Sequence, residues 1–583
     1  MKRYFLETFQ KHILKKVFPI DSIFQAQPLL SSSLIIFLAI FVQLYLFKPY
    51  FQLNDDTFKA FFAEGVGTNL TPSEYIGYSN CLLGFALKFL YTNLPGIAWY
   101  GLLMLSVQTM SLFAFLYSLL LSPNSRFKIL LFMITWISFY FLFFSKIQYT
   151  ATASLAAQAG IFLGISLWHK RKISPYTYGW WFLGILLFFS SLVRLEGFLI
   201  TIFTALPLLV FFLLNENNSS RRELVKTKKV FFFVLTSTIV FGAAFNYFWY
   251  ERDPGWREFN RFDKERVEFQ DYRITEYNDR TKPYFDSVGW SQNDYRMFLN
   301  WYYLDTDIFS PEKVNELKAH FPRIGSRNKT LSFESLTDLL RSYGGQTFLM
   351  FFFTFLLFLP TNAFRLLLAE LAWLLALLTY LIYYYRAPDH VFVPLFALLL
   401  NTAIFFSVVD FRDLLPKKRK WLLILGVLFL CLITSSSFAV FWQFHQQNLK
   451  QTERENGLNA ALRLLNPKDD QLYVNWASSI QFEDINALDN MDFFRHFHLF
   501  ELAVYQRGPD AKKMLDHFGI KDLFLDMVDN PNIFLVCSPE EGTLYQNYMR
   551  EKHHLAIYPE LYFNNPYFRV YRIHSSKHPP LVK

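Results

Sequence analysis

Residues 29–62 read LLSSSLIIFLAIFVQLYLFKPYFQLNDDTFKAFF, an apolar run that ends shortly before two adjacent acids, Asp55 and Asp56. A helix that crosses a membrane needs about 20 apolar residues, because lipid offers no hydrogen-bond partner to an unpaired backbone group. The run 29–47 has that length. The stretch therefore predicts a first transmembrane helix with an acidic pair just beyond its end, at one face of the membrane.

The composition extends this prediction to most of the chain. Of the 583 residues, 53% are hydrophobic and 20% aromatic, with 69 Phe, which is more than the core of one soluble domain would bury. Apolar runs of similar length recur along the sequence. We predict an α-helical polytopic membrane protein with about 11 transmembrane helices, at 29–47, 99–121, 127–144, 150–168, 179–193, 197–214, 229–249, 346–359, 364–385, 390–409 and 420–441.

The distribution of basic residues predicts the orientation, because Lys and Arg concentrate in the cytoplasmic loops. Basic clusters lie at 2–16, 170–172, 221–229 and 412–420, whereas the short loops of the opposite side hold only Lys146, Arg194 and Arg386. We expect a multi-pass protein of the plasma membrane, the inner membrane of a bacterium, with a cytoplasmic N-terminus and an extracytoplasmic C-terminus. The net charge of +9 follows from this asymmetry, so no nucleic-acid partner is expected.

Nearly all of the long polar sequence falls on the predicted outer side. The sequence divides into a cytoplasmic segment 1–28, a transmembrane bundle 29–441 that includes the outer loops 48–98 and 250–345, and an extracytoplasmic α/β domain 442–583. In that last domain we predict helices at 458–465 and 509–518 and strands at 471–476, 522–525 and 533–537. Because its sequence pairs no nucleophile with a base, we interpret the domain as a binding or packing module. The placement of polar sequence predicts a substrate at the outer face.

The acidic pair opens a short amphipathic stretch. Phe58, Phe61 and Phe62 follow Asp55 and Asp56 at helical spacing, which predicts a helix lying on the membrane surface. A second such helix is predicted at 78–93. The two aspartates would then lie at the level of the lipid headgroups, where they are candidates for catalysis. The alternative is that they only cap the helix, since Asp is favoured there.

Ionisable residues at the ends of spans form a second group of candidates. Placing a charge in lipid costs about 2.5 to 3.5 kcal/mol even on the translocon scale, so such residues often mark a site. Arg194 and Glu196 interrupt one apolar boundary, and Arg386 and His390 lie at another. An Arg side chain binds phosphate well because its planar fork makes two charge-assisted hydrogen bonds. A structural ion pair for Arg194, and headgroup anchoring for Arg386, are the alternatives.

The second outer loop carries aromatic residues beside polar ones. Trp290 and Asp294 lie in the run Gly289–Tyr295, and rings beside carboxylates suit sugar recognition, because sugar faces stack while hydroxyls need hydrogen bonds. The same residue types also occur in the aromatic belts of membrane proteins. The loop therefore predicts either a sugar-binding surface or an interfacial belt.

This combination of sequence features resembles the membrane glycosyltransferases of the GT-C fold, in an uncharacterised bacterial branch. The resemblance rests on the acidic pair in the first outer loop, the two helices after it, Arg386 at a distant helix end and the outer C-terminal domain. It departs from the family in having Asp55-Asp56 where several relatives have Asp-Glu or Asp-x-Asp, and Ala387-Pro388 after the Arg where an aromatic is usual.

The resemblance implies transfer of a sugar from a polyprenyl-phosphate donor to an envelope glycan, lipid or protein acceptor. Asp55 or Asp56 would act as general base, and Arg386 and Arg194 would stabilise the lipid phosphate. No cofactor is certain, because the three cysteines have no metal-ligand spacing. A divalent cation at the acidic pair stays open. A non-catalytic assembly protein for envelope polysaccharide and a transporter of lipid-linked substrates remain the alternatives.

Overall fold

A computed structural model describes residues 27–122, 125–169, 178–214, 221–323, 361–384, 388–407, 420–477 and 479–575. Helices and two short strands form the first part of the chain. In order they are α1 Pro28–Leu46, β1 Tyr50–Phe51, α2 Asn54–Glu64, α3 Cys81–Asn93, α4 Trp99–Leu121, α5 Ser125–Thr135, a π-helical turn Trp136–Tyr140, α6 Phe141–Ser145, β2 Lys146–Ile147, α7 Tyr149–His169, α8 Tyr178–Val193, α9 Leu195–Thr204, α10 Leu206–Leu214 and α11 Arg221–Arg252.

The second part of the chain is mixed. It comprises α12 Pro254–Tyr272, α13 Lys282–Ser287, α14 Gln292–Leu299, α15 Pro311–His320, α16 Thr361–Tyr384, α17 Asp389–Phe406, α18 Lys420–Leu465, β3 Leu472–Trp476, β4 His498–Leu502, α19 Pro509–His517, α20 Leu523–Asp526, β5 Ile533–Val536, α21 Pro539–Lys552, β6 Ile557–Asn564 and β7 Arg569–Ser575. The predicted helix 509–518 and strands 471–476 and 533–537 are confirmed. The predicted strand 522–525 is wrong, because the Asp522 side chain accepts from the N–H groups of Phe524 and Leu525 and starts helix α20.

Six described helices are long and apolar enough to cross a membrane, and a seventh candidate is the bent pair α9 and α10. This agrees with a helical membrane protein. The eleven predicted spans are not confirmed as a set. The run 127–144 is interrupted by the π-helical turn, α8 has 16 residues, and α9 and α10 meet at 48°. The run 346–359 lies outside the described residues, and 420–441 forms the first part of the 46-residue helix α18.

Helix α7 lies at the centre of the helical bundle. Its apolar window is completely buried, and it packs against α4, α8, α9 and α17. Small residues make this close approach possible, since a Cβ on Gly160 would lie 2.6 Å from the Leu187 side chain. The first residue of α7 is Tyr149, so this central helix fixes the position of whatever lies at its N-terminal end.

The segments predicted to share one side of the membrane do contact one another. Lys48 forms an ion pair with Glu455 across 3.1 Å, and Ser73 donates to the Asp510 carboxylate at 2.7 Å. The Gly67 N–H donates to the Phe494 carbonyl at 2.9 Å. The loop 48–98 and the C-terminal region therefore assemble at the same end of the bundle.

That end is covered by a five-stranded sheet with helices, which we call the sheet unit (residues 254–323 and 466–575). The strand order is β4-β3-β5-β7-β6, with β4, β3 and β5 parallel and β7 and β6 antiparallel. Helices α12, α14 and α15 share one core with this sheet. The sequence predicts that the loop 250–345 belongs to the bundle. In the structure its described helices share an aromatic core with the sheet of the C-terminal domain.

Helix α2 does not lie on a lipid surface as predicted. Its residues from Asp56 to Glu64 are all buried, because the sheet unit covers the face that the bundle leaves open. Phe61 packs on Phe494 at 4.8 Å between ring centroids, and Phe62 packs on Tyr505 at 4.9 Å. The acidic pair therefore lies between two packed layers, at the junction of bundle and sheet unit.

Candidate functional site

A short pairing of backbone strands places the acidic pair. Strand β1 runs parallel to β2, with Tyr50 opposite Lys146 and Phe51 opposite Ile147. The chain after β1 enters α2, and the chain after β2 enters α7. The first turn of α2, which carries both aspartates, therefore lies beside Tyr149, the first residue of α7.

Asp56 is completely buried and held by two donors. Its Oδ1 accepts from the Tyr100 hydroxyl at 2.8 Å and from the Tyr149 backbone N–H at 3.2 Å. Its Oδ2 has no hydrogen-bond partner among the described residues. Neither aspartate caps α2 through its side chain, because the cap position is Leu53. The capping interpretation is therefore excluded, and Asp56 is instead tied to the start of the central helix.

Burial makes the charge state of this region sensitive to pH. It raises the pKa of Asp56 to about 7, although the charge of Lys59 and the hydrogen bond from Tyr100 oppose the rise. Burial also lowers the pKa of Lys59 well below its usual value. The Lys59 Nζ lies 2.8 Å from the centroid of the Tyr149 ring and 3.3 Å from the Ser79 hydroxyl. Strong perturbation of two neighbouring groups is typical of functional sites.

Arg194 joins the same cluster from a break between two helices. It is the extended residue between α8 and α9, and its guanidinium donates to the Tyr149 hydroxyl. Its Nε lies 3.6 Å from Glu196 Oε2, which is an exposed and weak ion pair. Tyr149 therefore contacts the Arg194 guanidinium through its hydroxyl and the Asp56 carboxylate through its backbone N–H.

Asp55 faces away from Asp56 and is exposed. It lines a cavity of about 130 Å³ between α2 and the sheet unit. The opposite wall includes Trp301, Glu501 and Tyr505. Of the two acids, Asp55 is thus the one that a bound molecule can reach, while Asp56 is enclosed by protein.

Tyr505 forms part of this wall through tight packing. Its ring stacks on Phe259 at 5.6 Å between centroids, and its hydroxyl has no partner among the described residues. A Cβ at Gly77 would collide with that hydroxyl, and Gly77 has a φ of +55°. Only glycine fits there without displacing Tyr505.

The other predicted site residues lie elsewhere. Trp290 is 1% exposed, and its indole N–H donates to the Ile308 carbonyl at 2.7 Å. Asp294 is buried, forms a capping box with Ser291 and pairs with Lys552 at 2.7 Å. As a correction to the predicted sugar surface, both stabilise the interior of the sheet unit.

Arg386 lies outside the described residues, so its predicted role is not tested. His390 is the second residue of α17 and is half-buried; it does not line the cavity beside Asp55. Of the predicted binding residues, the structure thus brings Arg194 and Glu196 to the acidic pair.

The donor set does not favour a metal ion at the acidic pair. Across the described ranges, no group of three or more His, Cys, Asp or Glu side chains is arranged to hold one. Asp55 lines the cavity, whereas Asp56 faces Tyr100 and Tyr149, so the two carboxylates do not converge on one point. We derive no chemistry through a cation here.

No protein-family model, curated protein or solved structure matches this chain. The site itself combines an exposed carboxylate, a guanidinium anchored on Tyr149 and a cavity against the sheet unit. Such a set can accept a proton on one side and bind an anion on the other.

Proposed function

We propose that this protein is a membrane glycosyltransferase that moves a sugar from a polyprenyl-phosphate donor to an acceptor at the outer face of the plasma membrane. The observation that carries the proposal is that Tyr149, at one end of the helical bundle, holds both the Arg194 guanidinium and Asp56, the residue next to the exposed Asp55. A base and an anion-binding group at a membrane edge are what a lipid-phosphate leaving group and a hydroxyl nucleophile require.

Asp55 acts as the general base. It takes the proton of an acceptor hydroxyl while that oxygen attacks the anomeric carbon of the donor sugar. A C–O bond forms to the acceptor as the bond between the sugar and the phosphate oxygen breaks. The electron pair leaves with the polyprenyl phosphate, and the proton remains on Asp55. Assistance of this kind contributes about 10² to 10⁴-fold in rate.

Arg194 stabilises the departing phosphate. Its guanidinium is held by the Tyr149 hydroxyl and keeps partial access to solvent, with 23% of its side chain exposed. Because the guanidinium is already held in place, it needs little reorientation when negative charge develops on the leaving group. Asp56 acts as a positioning residue, because its Oδ1 accepts from the backbone N–H of that same tyrosine.

The arrangement of the chain supports the same proposal. A membrane donor approaches from the bundle, and a polar acceptor approaches from the side of the sheet unit, so the reacting groups meet at the junction. The resemblance to glycosyltransferases of the GT-C fold implies the same division of roles. The distribution of basic residues along the sequence favours the outer face for this junction.

The test is a donor panel supplied to membranes that contain the protein. We expect release of polyprenyl phosphate from polyprenyl-phosphate sugars and none from nucleotide sugars. The double variant Asp55→Asn/Arg194→Gln removes release, whereas the exposed Asp516→Asn on α19 serves as control and retains it. The proposal would be contradicted if the protein in sealed vesicles transported the lipid-linked sugar across the membrane intact and did not cleave it.

A further inference from the structure

The cavity beside Asp55 lies at the carboxyl ends of two parallel strands of the sheet. Strands β3 and β4 are parallel and end at Trp476 and Leu502, and the residues that follow them, Ala477 and Ala503, line the cavity. Strand β3 has β4 on one side and β5 on the other, so the chain order reverses there. Ligands of parallel sheets bind outside the carboxyl ends of strands at such a point.

Three side chains that line the cavity carry polar atoms with no hydrogen-bond partner in the described part of the chain. Among the described residues, Glu501 Oε1 and the hydroxyls of Thr68 and Tyr505 are buried without a partner. Glu501 Oε2 is held by the Asn475 amide at 2.8 Å. Burial raises the pKa of Glu501 well above its usual range. Buried polar groups without a partner are unfavourable, and a ligand that bonds them offsets this cost.

The remaining walls are aromatic. Phe58, Phe62 and Trp301 surround the cavity, and Trp301 has a φ of +65°, a conformation that bulky residues rarely adopt. A water molecule occupies about 10 to 15 Å³ of such a cavity, so 130 Å³ holds about ten atoms of that size. This matches one hexose ring with its hydroxyl groups. Flat rings beside hydroxyl-binding groups suit a sugar.

We propose that this cavity binds one sugar ring of the acceptor, which makes the acceptor a glycan. The inference rests on the proposed function, because Asp55 is both a wall of the cavity and the base of the reaction. A ring seated against Glu501 and Trp301 presents a hydroxyl to Asp55, which lines the same cavity. The sheet unit thus contributes part of the reaction site.

The experiment measures sugar binding without turnover. Full-length protein in lipid nanodiscs is mixed with the methyl glycosides of glucose, galactose, mannose and N-acetylglucosamine, and saturation transfer from protein to sugar is recorded by NMR. Thr68→Val is the cleanest variant, because its hydroxyl bonds no described protein group and its shape is kept. We expect its affinity to fall about 3- to 10-fold, as for one lost hydrogen bond.

Two further variants separate chemistry from shape. Glu501→Leu lowers the affinity about tenfold or more, and Glu501→Gln, which keeps both donor and acceptor, stays within about threefold of wild type. Tyr558→Ala, on the exposed strand β6, is the control and binds as wild type. The inference is overturned if none of the four sugars binds, or if Thr68→Val and Glu501→Leu both bind as wild type.

The two proposals fail separately. If sugar binds and the variants weaken it while no donor is consumed, the glycosyltransferase assignment is wrong and the cavity stands as a sugar site. If donor is consumed while no methyl glycoside binds, the cavity assignment is wrong and the enzymatic assignment stands.

Discussion

Arg194 donates a hydrogen bond to the hydroxyl of Tyr149, and the backbone N–H of this tyrosine donates to Asp56. One residue at the start of the central helix thus holds both the guanidinium and a carboxylate of the site. The guanidinium also lies over the Tyr149 ring, with 4.7 Å between Cζ and the ring centroid. The position of Arg194 is therefore set by the protein before any substrate binds.

Replacement of Arg194 is expected to weaken binding of the lipid phosphate. Loss of a charge-assisted hydrogen bond costs about 1.5 to 3 kcal/mol, so Arg194→Gln should raise the Kd for polyprenyl phosphate about 10- to 100-fold. Native mass spectrometry in detergent measures this directly. Arg296→Gln, at an exposed position of α14, is the matched control. Equal retention of polyprenol and polyprenyl phosphate by the wild type would refute the assignment.

Asp56 is expected to respond differently to its two replacements. Asp56→Ala leaves the Tyr100 hydroxyl and the Tyr149 N–H unpaired in a buried place, which should cost about 1 to 3 kcal/mol each. Asp56→Asn keeps an acceptor for both and should remain close to wild type in stability, with a turnover reduced by less than tenfold. Thermal unfolding and donor consumption are measured on the same samples. A turnover for Asp56→Asn as low as that of Asp55→Asn would show that Asp56 itself is the base.

Glu64 at the end of α2 makes stability depend on pH. Burial raises its pKa from 4.5 to about 7, against the opposing charge of Arg495, whose Nη2 lies 3.5 Å away. The folded protein therefore keeps this proton up to a higher pH than the unfolded chain does. Protonated Glu64 contributes up to about 3 kcal/mol to the free energy of unfolding. This contribution is fully present below about pH 4.5 and is lost as the pH rises to about 7.

Glu64→Gln cannot titrate and isolates this effect. The unfolding temperature of the wild type relative to Glu64→Gln should fall between pH 5 and pH 8. Glu540→Gln, at an exposed position in the first turn of α21, is the control and should show no such change. A difference between wild type and Glu64→Gln that is constant over that range would contradict the prediction.

Trp290 is expected to matter for stability and not for sugar recognition. Trp290→Ala opens a cavity in the core that the sheet unit shares with α12 and α14, which typically costs about 3 to 5 kcal/mol. Trp442→Ala, where 55% of the residue is exposed, should change stability by less than about 0.5 kcal/mol. Binding of methyl glycosides by folded Trp290→Ala should equal that of the wild type; a specific loss of sugar binding would restore the surface interpretation.

Position relative to the predicted spans is informative in the sequence: it singles out Asp55 and Asp56 just beyond the first span and Arg194 at a later helix boundary. In the structure Tyr149 links Arg194 to Asp56. Ser291 and Asp294 have the spacing of a capping box, a local signal that favours a structural role for Asp294. The burial of Trp290 depends on tertiary packing.

The cavity wall could not be predicted in the same way. Trp301 comes from one segment, and Glu501 and Tyr505 come from another that lies far along the chain. Residues of these types are common in any membrane protein. Glu501 belongs to β4, a strand that the sequence did not mark. Its importance depends on the pairing of β4 with β3, which only the tertiary structure supplies.

The central claim is that Asp55 removes the proton in a site where Arg194 binds the phosphate. Donor binding and donor consumption by Asp55→Asn, measured with the same purified sample at saturating donor, test it most directly. The account predicts a kcat at least about 100-fold below that of the wild type, with a Kd for the donor within about threefold. A kcat equal to that of the wild type would contradict it.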